Sequence, residues 1–162
     1  MPAARVLFVC MGNICRSPTA EGVMRGLVAE AGLSDQIVID SAGTGGWHVG
    51  APPDPRAVAA AARRGIRLDG AARKVRPSDF DDFDLLVALD AANARELRAI
   101  APDGRSAAKV RLLREFDPAG RGDLDVPDPY YGEDDGFGRV LDLVDASCRG
   151  LLDELRARAG SA

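Results

Sequence analysis

The chain has 162 residues, 46% of them apolar and 28% charged, and a net charge of −4. That length suits one domain spanning residues 1–162 with a sizeable core, and the composition is that of a soluble globular protein. The charge argues against a chain-wide nucleic-acid or anionic-membrane surface while leaving room for a local basic site, and no apolar run approaches the length of a bilayer span.

Met1-Pro2-Ala3-Ala4-Arg5 leads into a strand-like segment without the regions of a signal peptide, so the expected location is the cytoplasm, with leaderless export left open. Arg5–Cys10 is a nearly continuous apolar run, as in a strand buried on both faces. After a Gly-containing turn, Ser17-Pro18 reads as an N-cap and first helical position. Ala20, Val23, Met24, Leu27, Val28 and Ala31 then form a helical stripe that Gly32 ends.

Gln36–Asp40 reads as a second strand, followed by a Gly-rich loop from Gly43 to Gly50. Asp54 caps an alanine-rich helix from Pro55 to near Gly65. Leu85–Leu89 is a third buried strand, Asp90 caps a helix ending before Pro102, and Lys109–Leu113 is a fourth strand. Phe116 to Gly136 is rich in Asp, Gly and Pro and reads as one long loop. Phe137, Val140, Leu141, Val144, Cys148, Leu151, Leu152 and Leu155 keep helical spacing over about five turns, which makes Cys148 a core residue. Alternation of strands and helices implies a three-layer α/β fold, a parallel sheet with helices on both faces. Ligands in such sheets bind at the carboxyl ends of strands, and the first strand ends at Cys10.

The three cysteines, Cys10, Cys15 and Cys148, do not make a disulfide scaffold, and a closed zinc site would need all three plus His48, the only histidine. No metal or other cofactor is expected. The segment Cys10-Met11-Gly12-Asn13-Ile14-Cys15-Arg16-Ser17 joins the first strand to its helix. Unpaired amides at a helix N-terminus favour a bound phosphate. The same field beside a guanidinium favours the thiolate of a cysteine. Arg16 offers a planar fork to two phosphate oxygens. Gly12 relieves the turn, and Asn13 can adopt left-handed geometry or tie the loop through its amide. The Ser17 hydroxyl can also donate to the thiolate. Residues 11–17 are therefore the expected phosphate cradle. No Gly-Lys-Ser/Thr ending follows, and Gly43-Thr44-Gly45-Gly46 opens no helix, so nucleotide-loop and dinucleotide readings fail.

The string Val9–Pro18, with Asp128-Pro129-Tyr130 much later, resembles the low-molecular-weight protein tyrosine phosphatases over nearly the whole chain. The resemblance implies a four-stranded parallel sheet of order 2-1-3-4 and a cysteinyl-phosphate intermediate. It further implies a phosphotyrosine-containing protein as substrate, with no nucleic-acid or membrane partner; a monomer or weak dimer is expected. The leaving oxygen needs a proton donor. Asp128, held between Pro127 and Pro129, matches the family's Asp-Pro-Tyr where Asp123 and Asp125 do not. Ser41 matches a family serine that bonds the loop asparagine. Asp90 is a cap that could also act near the loop. Trp47 and Tyr130, with Tyr131 beside it, are the implied walls of a slot for a phenyl phosphate. Cys15 is the implied partner in a reversible disulfide with Cys10. One departure is the absence of a histidine common in the family near Gly70–Arg73.

Three rivals remain to be weighed. Arsenate reduction would need further relay cysteines, and only Cys148 lies beyond the loop. Protein-arginine phosphatases carry Thr where this chain has the bulkier Ile14. An inactive phosphate-binding module would need neither nucleophile nor acid.

Overall fold

The computed structural model describes residues 4–129 and 135–160. Four strands, β1 (Ala4–Cys10), β2 (Ile37–Gly43), β3 (Leu85–Ala88) and β4 (Val110–Leu112), form one sheet of order β2-β1-β3-β4, parallel throughout. The long helices are α1 (Arg16–Glu30), α2 (Pro55–Ala62), α4 (Ala91–Ile100) and α6 (Asp135–Gly160). Two single-turn helices, α3 (Asp79–Asp82) and α5 (Gly104–Ala107), and a 3₁₀ turn at Leu113–Phe116 complete the described elements.

The period of two along β1 divides the core. Val6, Phe8 and Cys10 face the layer built from α1, α2 and α6, which includes Met24, Val28, Val144 and Leu151. Leu7 and Val9 face the opposite layer, with Phe80, Ala94 and Leu97 from α3 and α4. Cys148 is fully buried in the first layer, as its place in the α6 stripe predicts.

Several boundaries differ from the expectation. β2 runs on to Gly43, because β1 pairs with it as far as Cys10 opposite Gly43. The short helices α3 and α5 carry too little periodicity to be read from sequence. Ser17 is not the N-cap of α1: the helix starts at Arg16 with Cys15 as the capping position, and no side chain caps it. Asp54 and Asp90 do cap, accepting from the Arg56 and Asn93 amides respectively.

β1 lies where the strand order reverses, with β2 on one side and β3 on the other. The crevice beyond the carboxyl ends of β1 and β3 is the binding position of such sheets. The chain after β4 returns to this crevice, where the Val126 amide donates to the Leu89 carbonyl.

Candidate active site

Cys10 ends β1 with its side chain buried, and residues 11–15 curl over it before α1 begins. The Asn13 amide reaches Cys10 Sγ at 3.3 Å, and the Ser17 hydroxyl lies 3.0 Å from the same sulfur. That contact explains the lost cap: the Ser17 side chain turns into the loop instead of toward its own helix. Asn13 holds φ at 56°, the left-handed conformation that asparagine tolerates. Its amide nitrogen donates to Ser17 Oγ at 2.8 Å and to Ser41 Oγ at 3.0 Å, and its oxygen accepts from the Arg73 amide at 3.0 Å. Arg73 is itself pinned by Asp40 and by the buried Asp79. Gly12 serves by absence of a side chain: a Cβ there would meet the His48 ring at 3.1 Å.

Arg16 is 4% exposed. Its Nη1 donates to Asp90 Oδ2 at 2.6 Å and to the Val126 carbonyl at 2.9 Å, while Nη2 stands 3.6 Å from Asp128 Oδ2. Burial works against the guanidinium charge, but the Asp90 bond and the charges of Cys10, Asp90 and Asp128 outweigh it, holding the proton above the ordinary arginine range. Asp90 thus does two jobs, capping α4 with one oxygen and orienting Arg16 with the other.

Asp123, Asp125 and Asp128 of the return segment differ in their surroundings. Asp125 accepts from the Ala91 amide, and Asp123 accepts from the Asp125 amide. Asp128 instead lines a cleft of about 50 Å³ with Cys10, Met11, Gly12, Ile14, Cys15, Arg16 and His48. Trp47 does not line this cleft. Its ring folds over Gly45, leaving no room for a Cβ there, and is 73% exposed, while the adjacent His48 lines the cleft. Nothing in the local pattern marks which of two adjacent rings turns inward. Tyr130 and Tyr131 lie outside the described residues. Cys10, Cys15 and Cys148 are free thiols, and burial, then the charges of Asp54 and Asp128, pushes the Cys15 thiol up to about 12.

A far larger groove, about 610 Å³ between α1, the 64–69 segment and α6, holds no nucleophile. Its arginines, Arg25, Arg64, Arg67 and Arg149, each sit against a carboxylate. Among the described residues no three His, Cys, Asp or Glu side chains gather in a metal-holding group, and no helix is long and apolar enough to cross a membrane.

A parallel α/β sheet with a strand-end cysteine and an arginine at the start of the following helix is an arrangement suited to phosphate chemistry. The chain belongs to the low molecular weight phosphotyrosine protein phosphatase family, whose model matches residues 5–160. A low molecular weight protein-tyrosine-phosphatase of Streptomyces coelicolor is 58% identical over 153 residues, covering 94% of this chain and 93% of that protein. A crystal structure of a protein tyrosine phosphatase from Entamoeba histolytica superposes with a TM-score of 0.91 at 38% identity, over 95% of this chain and 97% of that one. The Drosophila arginine phosphatase shares the fold at 33% identity and a TM-score of 0.85, over 92% and 96% of the two chains. The chain is a protein-tyrosine phosphatase, a hydrolase of phosphotyrosine monoesters, and its substrates are phosphoproteins.

Proposed function

We propose that Cys10 is the nucleophile, Arg16 and the amides of residues 11–17 the phosphate clamp, and Asp128 the general acid and base. The observation that carries this reading is one small cleft holding the Cys10 sulfur, the Arg16 guanidinium and the Asp128 carboxylate. With Nη1 engaged by Asp90 and Val126, the Nε–Nη2 edge of Arg16 is the fork offered to two phosphate oxygens.

In the first step the Cys10 thiolate attacks phosphorus, the P–O bond to the tyrosine breaks, and Asp128 gives its proton to the leaving phenolate. In the second, the Asp128 carboxylate takes a proton from water, the hydroxide attacks phosphorus, and the P–S bond breaks to restore the thiolate and release phosphate. The loop amides and Arg16 hold the equatorial oxygens through both steps, a preorganised charge complement. The half-buried Ile14 on the cleft wall suits a phenyl ring. Tyr130 and Tyr131 are retained as further walls on the strength of the resemblance. Cys15 keeps its implied reserve role: peroxide converts Cys10 to the sulfenic acid, and the Cys15 thiol displaces water to form the disulfide.

The test compares phosphotyrosine peptide, phosphoserine peptide and phosphoarginine in EDTA. Wild type turns over the phosphotyrosine peptide best, Cys10→Ser abolishes turnover, and Asp128→Asn lowers kcat by roughly 10²–10⁴-fold. Full activity in Cys10→Ser, or a preference for phosphoarginine, overturns the assignment.

A further inference from the structure

Glu21 sits on α1 behind the loop, 9% exposed, and no step of the mechanism uses it. Its Oε1 accepts from the Ser41 hydroxyl at 2.5 Å, and its Oε2 pairs with Arg25 Nη1 at 2.7 Å. Ser41 Oγ accepts from the Asn13 side-chain amide, which also donates to Ser17 Oγ, which touches Cys10 Sγ. A continuous chain of bonds therefore joins a buried carboxylate to the sulfur.

Counting hydrogens gives the chain a direction. The Asn13 amide nitrogen has two, one for each serine. Its oxygen is held by the Arg73 amide, so the group cannot flip without setting N–H against N–H. Each serine thus receives a hydrogen from Asn13 and must send its own elsewhere. Ser41 sends it to Glu21. Ser17 has Cys10 Sγ at 3.0 Å and the Ala42 carbonyl at a longer 3.4 Å. The Glu21 carboxylate accepts at one end and, with Cys10 as the thiolate, its sulfur accepts at the other, so every hydrogen points away from Asn13.

We propose that Glu21 is a positioning residue for the nucleophile, acting through Ser41 to hold the Asn13 amide and so keep the Ser17 hydroxyl aimed at Cys10. The proposal rests on the reading of Cys10 as nucleophile. Arg25 on α1, Asp40 on β2 and Asp69 in the loop beyond α2 are the charged groups facing Glu21. With Arg25 holding one end, Glu21→Gln turns its amide oxygen to the arginine and its N–H₂ to Ser41. Ser41 is then offered two donors, and its bond from Asn13 weakens.

The experiment measures alkylation of Cys10 by iodoacetamide at pH 6, which needs no substrate and tracks the thiolate. Phosphotyrosine-peptide turnover by wild type, run alongside, reports separately on the phosphatase reading. Glu21→Gln is expected to slow alkylation by roughly tenfold, Ser41→Ala by a similar factor, and the double variant by no more than either. Ser41→Ala removes only one buried oxygen and keeps the test decisive if Glu21→Gln does not fold. Alkylation at the wild-type rate in the variants that fold, or fully multiplicative losses in the double variant, overturns the proposal.

Discussion

Around Arg16 the chemistry turns on single atoms. The buried guanidinium is held by Asp90, which also caps α4. Asp90→Asn keeps an amide oxygen for the cap but removes the charge facing Arg16. Urea unfolding should show a loss of about 2 kcal/mol, with a lower kcat/KM as the fork loses its orientation. The thiols separate in the same way. Burial raises both Cys15, to about 12, and Cys148, so both stay protonated at neutral pH. Iodoacetamide at pH 7 is therefore expected to label Cys10 in the native protein and leave Cys15 and Cys148 unmodified, as peptide mass analysis would show. The roles proposed for Cys10 and Arg16 were legible in sequence because a strand-end cysteine and an arginine at the start of a helix share one short, unusual string, while that proposed for Asp128 came from the family resemblance. Glu21 and Arg73 were not legible, since a Glu on a helix and an Arg in a loop are ordinary surface residues until the tertiary structure buries Glu21 behind Ser41 and sets the Arg73 amide against Asn13.

Among the elements, packing decides where the loop can stand. α6 meets the 3₁₀ turn at Leu113–Phe116 through Gly150, where a Cβ would lie 1.8 Å from the Phe116 carbonyl oxygen. Gly150→Ala must push that turn away, at a cost of about 1–3 kcal/mol. A lower urea midpoint with an unchanged slope would confirm it; an unchanged midpoint would mean that the turn yields freely. The strands, α1, α2, α4 and α6 were readable because each carries a long enough apolar pattern or a cap. The single-turn helices were not, and the true start of α1 was hidden because the Ser17 hydroxyl had two competing partners. It could accept from the amides of its own helix or turn to the loop sulfur, and the sulfur prevailed, a choice that local propensity does not encode.

For the molecule as a whole, loop order is obtained at the expense of a buried charge. Burial above all raises the Glu21 carboxyl beyond the ordinary glutamate range, with Ser41 and Arg25 pulling it down and Asp40 and Asp69 adding to the rise. The folded chain therefore holds this proton to higher pH than the unfolded chain. The group's contribution to stability is fully present below the unfolded value and is lost as pH rises through the folded one. Glu21→Gln removes that dependence, so its Tm relative to wild type should climb in the variant's favour from about pH 4 to about pH 7. A difference that stays flat with pH would show that Glu21 is not carrying a buried charge. By itself the sequence determined the parallel α/β fold and the strand-end cysteine with its Gly- and Arg-bearing loop, because these depend on periodicity, chain order and rare residue types within a few positions of one another; Asp128 was singled out by the family resemblance. Only the tertiary structure decided which side chains line the cleft, how Asp90 meets Arg16 and what stands behind Asn13. Those choices pair residues far apart in the chain, as Arg16 with Val126, 110 positions on, and follow from which competing hydrogen bond is closest once the sheet is assembled.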